Sequence, residues 1–437
     1  MTPIDTLISA RWIIPIEPAG TVLEHYSLAI LDGRIVDLLP TSDASARYTA
    51  HTEVDFGQHV LLPGLINLHT HVAMTLMRGL ADDLPLMTWL KEHIWPMESQ
   101  HVAPAFVKDG SMLACAEMLR GGTTYFNDMY FFPEATAQAV DQAGLRATLG
   151  IITLEFPTNY AADADDYLRK GLETRDAYRE HPRLGFSIAP HAPYTVSDKT
   201  FEKILTYSEQ LNIPIHTHVH ETQDEIQHSL DEHHQRPLAR LHHLGLLSPN
   251  LIAVHMVHLT ADEIALCAER SVQIAHCPNS NLKLGSGIAP LARWFAAGLS
   301  AGLGTDGAAS NNRLDMFNEM RIAALLAKGV SGDASAVPAH QALSMATLNG
   351  AKALGMDQEI GSLKIGKAAD FIAVDLATIE TTPCYDVASH LVYVAGREHV
   401  TDVWVAGQRL LQDRILTTLD LQAIRARAAH WQNKLNS

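Results

Sequence analysis

The stretch Val60-Leu-Leu-Pro-Gly-Leu-Ile-Asn-Leu-His-Thr-His71 joins a continuous apolar run to two histidines. An apolar run of this length is typical of a buried strand, and side chains two residues apart lie on the same side of a strand. Two imidazoles at one strand end suit a metal ion, but with 24 histidines in 437 residues about one His-x-His pair is expected by chance. The pair alone leaves a metal site and a structural role equally open.

The segments around this stretch predict a barrel. Between residues 61 and 355, short apolar runs alternate with segments of helical period, for example 133–144, 198–212, 260–270 and 290–298, which is typical of repeated βα units. Thr260-Ala-Asp-Glu263 predicts a capping box, and residues 81–122 predict a helical insertion after the first strand. Eight strands are predicted, with their ends near His71, Asp128, Leu154, His191, His218, His255, His276 and Asp306. Eight such units favour a closed (β/α)8 barrel with its site at the carboxyl ends of the strands.

Both ends of the chain differ from this middle. Asp32-Gly33 lies between two apolar arms in residues 27–37 and predicts a hairpin. Residues 369–375, 399–407 and 408–417 are also strand-like, and Ala406-Gly407 joins the last two. Two β segments therefore flank the predicted barrel.

Composition and charge exclude several classes of protein. The 32 basic and 49 acidic residues give a net charge of −17, which disfavours nucleic acid and anionic membranes as partners. No apolar run approaches the roughly 18 residues of a membrane span, and the first 20 residues do not resemble a secretory signal. Four separated cysteines without a Cys-x-x-Cys pair indicate reduced thiols. We therefore expect a cytoplasmic enzyme or scaffold that acts without a membrane or nucleic acid.

Ionisable side chains recur at the predicted strand ends. His216, His218 and His220 alternate on one strand and are followed by Glu221, while His255 and Asp306 end two later strands. Some of these histidines must be structural, and the spacing alone does not say which. Together, imidazoles and a carboxylate suit Zn²⁺, which activates a water molecule for attack.

Other catalytic motifs are missing from the sequence. It contains no His-Glu-x-x-His, no phosphate-binding Gly-x-x-x-x-Gly-Lys-Ser/Thr loop and no Gly-x-Ser-x-Gly elbow, and Cys277 lacks the partner of a cytidine-deaminase motif. Phosphoryl transfer and serine hydrolysis are thereby disfavoured.

Nearly the whole chain resembles the amidohydrolase superfamily, in particular the 5-methylthioadenosine/S-adenosylhomocysteine deaminases. The resemblance rests on Pro63 to His71, on His218 to Glu221, on His255 and on Gly304-Thr-Asp-Gly-Ala-Ala-Ser-Asn-Asn312. Its most specific parts are Met74-Thr-Leu-Met-Arg-Gly-Leu-Ala-Asp-Asp-Leu84, the segment 185–194 that ends in Pro-His-Ala-Pro-Tyr, and Asn279-Ser-Asn-Leu-Lys-Leu284. The resemblance implies a (β/α)8 barrel at 61–360 and a small β-sandwich formed by 1–60 and 361–437.

The resemblance also implies the roles of individual residues. One zinc ion per subunit would be held by His69, His71, His218 and Asp306, and residues 184–190 lack the lysine that bridges two metals in binuclear relatives. Glu221 would donate a proton to the purine ring, His255 would orient the attacking water and Asp306 would accept its proton. Glu98 and His191 would bind the nucleoside, and a homo-oligomer is expected.

The substrate is expected to be 5'-methylthioadenosine, with S-adenosylhomocysteine and adenosine as further candidates. Relatives that accept S-adenosylhomocysteine can carry arginines after strand three, whereas Gly150-Ile-Ile-Thr-Leu-Glu-Phe-Pro157 has none, and Arg169 and Arg175 fall in a predicted surface helix. Phe156, Met87 and Trp89 would suit a neutral thioether tail. The alternatives are a related deaminase or chlorohydrolase acting on guanine, 8-oxoguanine or an s-triazine, and a non-catalytic scaffold on the same fold.

Overall fold

The computed structural model describes residues 1–436 and contains two sheets. The strands before the barrel are β1 Thr2–Ile13, β2 Leu23–Leu31, β3 Arg34–Pro40, β4 Tyr48–Asp55 and β5 His59–Pro63. The barrel strands are β6 Leu65–Thr70, β7 Thr123–Asp128, β8 Arg146–Thr153, β9 Leu184–Pro190, β10 Ile215–Val219, β11 Leu251–His255, β12 Gln273–His276 and β13 Ser300–Leu303. The strands after it are β14 Phe371–Asp375, β15 Val400–Val405, β16 Gln408–Gln412 and β17 Ile415–Leu416.

Helices surround the barrel and cover one of its ends. The α-helices are α1 Thr41–Arg47, α2 Leu86–Thr88, α3 Trp95–His101, α4 Pro104–Arg120, α5 Pro133–Ala143, α6 Ala164–Tyr178, α7 Asp198–Leu211, α8 Gln223–His233, α9 Pro237–His243, α10 Ala261–Glu269, α11 Pro278–Lys283, α12 Leu291–Ala296, α13 Met316–Ser331, α14 Ala339–Met345, α15 Leu348–Ala353, α16 Val387–Tyr393 and α17 Leu421–Leu435. A π-helical segment spans Trp89–Ile94, and 3₁₀ helices span Val72–Met77, Ile379–Thr381 and Arg397–His399.

The eight strands β6 to β13 are parallel and pair in chain order, which confirms the predicted barrel. Side-chain and main-chain hydrogen bonds bring β13 and β6 together. The Asn67 amide donates to the Thr305 hydroxyl at 2.7 Å and its oxygen accepts the Thr305 N–H at 2.9 Å. The Asp306 N–H donates to the His69 carbonyl at 3.0 Å. The first and last strands therefore present His69 and Asp306 side by side.

Local sequence signals account for the helix starts. The Thr260 hydroxyl accepts the Glu263 N–H, and the Glu263 carboxylate accepts the Thr260 N–H at 2.8 Å, so the predicted capping box forms at α10. Ser197 and Thr222 cap α7 and α8 in the same way through their hydroxyls. These caps fix where the chain turns from each strand end into the next helix.

The strands from both chain ends form one nine-stranded mixed sheet, in the order β17-β16-β15-β14-β5-β1-β2-β3 with β4 beside β1. Its two predicted turns have positive φ at both central residues: 50° and 71° at Asp32-Gly33, and 49° and 75° at Ala406-Gly407. The turns also contact each other, because a Cβ on Gly33 would lie 2.5 Å from the Ala406 carbonyl oxygen. The sheet thus folds around a shared apolar core that includes Ile8, Phe371 and Trp404.

A buried ion pair joins this sheet to the barrel. Arg146 on β8 donates from Nε to Asp370 at 2.7 Å, and both side chains are buried. The domain limits remain a prediction, and β5 of the flanking sheet runs through residue 60. Among residues 1–436, no helix has the length and apolar character needed to cross a bilayer.

Candidate metal and substrate site

Four side chains converge at the carboxyl ends of three barrel strands. The Nε2 atoms of His69 and His218 are 3.2 Å apart. Asp306 Oδ1 lies 3.3 Å from His69 Nε2 and 3.2 Å from His71 Nε2. His69, His218 and Asp306 are buried, and His71 is partly so. The structure therefore brings together all four residues that the sequence analysis named as metal ligands.

Three distances within this cluster match the spacing of metal ligands. Ligands bound at 2.0–2.1 Å in a tetrahedron lie about 3.3 Å from one another, and three of the six ligand-to-ligand distances here are 3.2, 3.3 and 3.2 Å. The ligand atoms of His69, His71 and Asp306 all lie within 4.8 Å of one another, and those of His69, His218 and His255 form a second such group. Two imidazole nitrogens that face each other at 3.2 Å also need a proton or a cation between them. The donor set of three nitrogens and one carboxylate oxygen suits Zn²⁺ and other first-row metals.

Hydrogen bonds on the far side of each imidazole orient it. His69 Nδ1 is 3.0 Å from His216 Nε2, His71 Nδ1 is 2.5 Å from the Met129 carbonyl, and His218 Nδ1 is 2.6 Å from the His191 carbonyl. With Nδ1 as the donor in each case, Nε2 keeps its lone pair for a metal. His216 therefore supports a ligand, although the sequence left it as a possible ligand itself.

The charges in the cluster favour a bound cation. Burial lowers the pKa of His69 to about 4, and burial also places the pKa of His218 well below its ordinary value, so both rings are neutral, as metal ligands must be. His71 differs: burial opposes its charge, but the hydrogen bond and the negative charge of Asp306 raise the pKa of His71 to about 9. A positive charge is thus stabilised where Asp306 meets the imidazoles.

Besides the imidazoles, three donors hold the Asp306 carboxylate. Its Oδ2 accepts hydroxyl hydrogens from Ser280 at 2.6 Å and Ser310 at 2.8 Å, and its Oδ1 accepts the Gly307 N–H at 2.7 Å. The backbone N–H of Asp306 is bound to the carbonyl of His69. The two serines were missed by sequence reasoning, because only the fold brings Ser280 beside Asp306.

Two further residues named from the sequence lie beside the cluster. The carboxylate of Glu221 and His255 Nε2 are 3.7 Å apart, and both side chains are buried. His255 Nδ1 is fixed by the side-chain amide oxygen of Asn281 at 2.8 Å. Burial raises the pKa of Glu221, and Glu225 holds the turn before it by accepting the N–H groups of His220 and Glu221 at 2.9 and 2.7 Å. Glu221 is therefore placed and tuned as a proton donor.

Strained backbone marks the same strand ends. His220, His255 and Asp306 have φ values of 55°, 71° and 63°, in the left-handed region that costs a non-glycine residue about 1 kcal/mol. Such angles persist only where the surroundings fix them. Here they turn the chain abruptly after the strand and keep the functional side chains at the barrel mouth.

A cavity of about 310 Å³ opens above the cluster. Glu98 and His191 both line it, as expected from the sequence, together with Glu221, His255 and Asp306. Glu98 accepts the Tyr130 hydroxyl hydrogen at 2.7 Å, and burial raises the pKa of Glu98 to about 7. His191 Nδ1 is engaged by the Thr195 hydroxyl at 3.1 Å, which leaves Nε2 for a ligand.

The rest of the lining is mainly apolar. Trp89 and Phe156 line the cavity as expected, whereas Met87 packs beside it and is not among the lining residues. Sequence reasoning missed Tyr130, Tyr194 and Trp95, which also line it. Within the described part of the chain, no lysine or arginine belongs to the lining.

The remaining histidines of the strand ends are structural. His220 Nε2 accepts the Leu238 N–H at 3.2 Å, and His276 packs edge-on against Trp294 with ring centres 5.5 Å apart.

Arg169 and Arg175 lie on α6, where Arg169 pairs with Asp166 and Glu173 and Arg175 pairs with Asp176. Neither arginine reaches the cavity.

The fold and this site define a (β/α)8 barrel built to hold a metal ion against a small-molecule cavity. Residues 60–410 match the model of the amidohydrolase family. A 5-methylthioadenosine/S-adenosylhomocysteine deaminase from Teredinibacter turnerae is 49% identical over 436 residues, which cover 100% of this chain and 99% of that protein. The chain belongs to the amidohydrolase family and, within it, to the 5-methylthioadenosine/S-adenosylhomocysteine deaminases.

Two solved structures illustrate the relationship. An adenosine deaminase from Xanthomonas campestris, with bound zinc, superposes with a TM-score of 0.98 at 49% identity and covers 100% of this chain and 99% of its own. An atrazine chlorohydrolase from Arthrobacter aurescens, in complex with zinc, has a TM-score of 0.90 at 24% identity, with 98% of this chain and 100% of its own covered. The second likeness concerns the fold alone.

Proposed function

We propose that this protein hydrolyses the 6-amino group of 5'-methylthioadenosine, with one zinc ion per subunit. The observation that carries the proposal is one cavity that brings the metal-ligand residues His71, His218 and Asp306, the acid Glu221 and the carboxylate Glu98 together with an aromatic lining that contains no lysine or arginine. The relative from Teredinibacter turnerae and the zinc-containing structure from Xanthomonas campestris support it.

His69, His71, His218 and Asp306 are the proposed zinc ligands. When bound there, zinc lowers the pKa of water and so supplies a nucleophile at neutral pH. Asp306 accepts the proton that this water loses, since its carboxylate stays ionised: contact with His69 and His71 holds the pKa of Asp306 well below its ordinary value despite burial. His255, fixed by Asn281, would orient the attacking water through Nε2.

Glu221 completes the chemistry. In its protonated form it donates to N1 of the adenine ring while the water oxygen forms a bond to C6. The C6–N6 bond then breaks, with a proton transferred to the departing nitrogen, so that ammonia leaves and the 6-oxo purine remains. The raised pKa of Glu221 favours the protonated form that this step requires.

Glu98 and His191 are proposed to bind the nucleoside. The Glu98 carboxylate has one oxygen on the Tyr130 hydroxyl and retains acceptor capacity for ribose hydroxyls. His191, which follows β9, offers Nε2. A free base has no ribose for Glu98 to hold, which distinguishes a nucleoside deaminase from one that acts on guanine or an s-triazine.

The cavity lining favours a neutral 5' substituent. Trp89, Trp95 and Phe156 supply apolar surface, and the Trp95 and Phe156 ring centres are 6.0 Å apart. S-adenosylhomocysteine carries a carboxylate, which needs a cationic partner once water is removed, whereas the lining contains the carboxyl groups of Glu98, Glu221 and Asp306 and no lysine or arginine. We therefore propose a preference for the methylthio nucleoside.

The test uses purified protein whose zinc content has been measured. It is mixed separately with 5'-methylthioadenosine, S-adenosylhomocysteine, adenosine and guanine, and loss of the amino group is followed by absorbance. We expect kcat/KM for S-adenosylhomocysteine to be at least about tenfold lower than for 5'-methylthioadenosine, or about 1.4 kcal/mol. Comparable values would refute the preference, turnover of guanine alone would refute the nucleoside class, and a metal-free, inactive protein that zinc does not rescue would indicate a scaffold.

The setting of the enzyme is also a proposal. A net charge of −17 repels nucleic acid and anionic membrane surfaces, in keeping with a cytoplasmic enzyme whose partner is a nucleoside. We propose a homo-oligomer, which light scattering of the purified protein would test; a single mass of 47.8 kDa would contradict it.

A further inference from the structure

Two of the sequence motifs contain none of the four metal ligands. Residues 74–84 begin the insertion after β6, and residues 279–284 form α11 and the position after it. Their polar side chains Asp82 and Lys283 lie far apart in the chain but form an ion pair in the fold. The contact raises the question of what it holds in place.

Asp82, Lys283 and Asn312 form a closed hydrogen-bonded group, here called the clasp. Lys283 Nζ donates to Asp82 Oδ1 at 2.6 Å, to Asn312 Oδ1 at 2.5 Å and to the Ala309 carbonyl at 3.0 Å. The Asn312 amide donates to the other Asp82 oxygen at 2.7 Å. All three N–H donors of Lys283 and both oxygens of Asp82 are thus engaged, and the side chains of Lys283 and Asp82 are only 20% and 32% exposed.

The backbone around the clasp is strained. Ala81 and Asp83, on either side of Asp82, have φ values of 57° and 65°, and Asn312 has a φ of 69°. Such angles are unfavourable for most residues that carry a Cβ, so the turn at residues 81–83 needs tertiary contacts to persist. The Asp82 carboxylate supplies these contacts at the centre of the turn.

The insertion that follows this turn covers the cavity. It carries Trp89, Trp95 and Glu98 into the lining. Its far end is held separately, because the Asn159 amide donates to the carbonyls of Ser99 at 2.8 Å and Val102 at 3.1 Å. The clasp therefore holds the near end of the insertion through polar contacts.

The metal cluster has its own supports. Asp306 is held by Ser280, Ser310 and Gly307, none of which belongs to the clasp. Loss of the clasp should therefore loosen the cover of the cavity and leave the metal ligands in place.

We propose that Asp82, Lys283 and Asn312 are positioning residues, which hold the insertion over the cavity and thereby set the affinity for substrate. The kinetic part of this inference rests on the proposed function, and the conformational part does not.

The experiment compares Lys283→Met and Asp82→Asn with the wild type. The control is Lys203→Met, which breaks the exposed Lys203–Asp165 pair between α7 and α6, with its 2.5 Å contact. We expect each clasp variant to raise KM for 5'-methylthioadenosine about tenfold with kcat changed less than about threefold, since each removes the partly buried ion pair of Lys283 with Asp82. Zinc content should be unchanged, and the double variant should be little worse than either single one because the residues act together. Hydrogen exchange should accelerate in residues 81–95, and the control should match the wild type in every measurement.

Three outcomes would overturn the proposal. Unchanged exchange in residues 81–95 shows that the clasp does not hold the insertion. Loss of zinc with a fall in kcat shows that it supports the metal site instead. Faster exchange with an unchanged KM shows that the insertion does not set affinity. A wild type inactive on 5'-methylthioadenosine would refute the proposed function, while the exchange measurement would still decide whether the clasp holds the insertion.

Discussion

Glu98→Gln offers a direct test of how the cavity recognises a nucleoside. Glutamine has nearly the same shape and can still accept the Tyr130 hydroxyl hydrogen, which Glu98 accepts at 2.7 Å, so the variant removes the negative charge and replaces the second acceptor oxygen by an amide N–H donor. Hydrogen bonds to a charged group contribute about 1.5–3 kcal/mol each, against about 1 kcal/mol for neutral pairs. With two ribose hydroxyls, the expected loss is about 2–3 kcal/mol, or about 30- to 150-fold in kcat/KM for 5'-methylthioadenosine.

The same variant should change the pH dependence. Burial raises the pKa of Glu98 to about 7, so the carboxylate gains a proton and loses its charge as the pH falls through 7. We expect the ratio of wild-type to variant kcat/KM to be near one at pH 5.5 and to rise to its full value above pH 8. Because the metal site is common to both proteins, the ratio isolates Glu98.

A matched variant and a second substrate sharpen the test. Tyr130→Phe removes a hydrogen bond that lowers the pKa of Glu98. The ratio of kcat/KM for Tyr130→Phe to kcat/KM for Glu98→Gln should therefore rise at a higher pH than the same ratio for the wild type. The unfolding temperature of Glu98→Gln at pH 8 should not fall, since a buried charge has been removed. The reasoning is refuted if Glu98→Gln stays within twofold of the wild type, or if it loses as much activity on any free base that the wild type turns over.

Three further predictions concern packing and the metal. Gly110→Ala places a Cβ 2.4 Å from the carbonyl oxygen of Ala73, two residues after His71. We expect a loss of about 1–3 kcal/mol in stability and weaker zinc retention, measured by calorimetry and metal analysis. Gly329→Ala, with open space around it in α13, should be neutral or stabilising. Arg146→Met leaves the buried Asp370 without its cation; a loss of about 3 kcal/mol should lower the Tm by about 3 °C, and an unchanged Tm would show that the pair is dispensable. Removal of the metal with a chelator should abolish activity and lower the Tm, and stoichiometric zinc should restore both; full activity of the metal-free protein would contradict the assigned ligands.

The barrel was predictable because its signals are local. Each strand is a short apolar run, several helices begin at a capping residue such as Thr260, and the ionisable residues stand where the runs end. The hairpins at Asp32-Gly33 and Ala406-Gly407 were likewise visible, since positive φ at two successive positions has few sequence solutions. That the two turns touch each other was not visible.

The histidines of β10 show where local reading ends. His216, His218 and His220 occupy alternate positions in the sequence. Only the resemblance to the amidohydrolase superfamily singled out His218 as the ligand. In the fold, His218 faces His69 Nε2, His216 lies behind His69 at Nδ1, and His220 binds the Leu238 N–H. The three roles differ because three different neighbours surround the strand.

The sequence by itself determined the order of strands and helices and the position of ionisable groups at the strand ends, because these follow from periodicity, capping and chemistry within a few residues. The choice of ligands among those groups came from the resemblance to the family. Only the tertiary structure decided which nitrogen faces which oxygen, that Ser280 and Ser310 hold Asp306, that Tyr130 holds Glu98 and that Lys283 meets Asp82. The physical reason is distance along the chain: these contacts join residues 4 to 201 positions apart, and the closure of the barrel between β6 and β13 brings the most distant of them within reach.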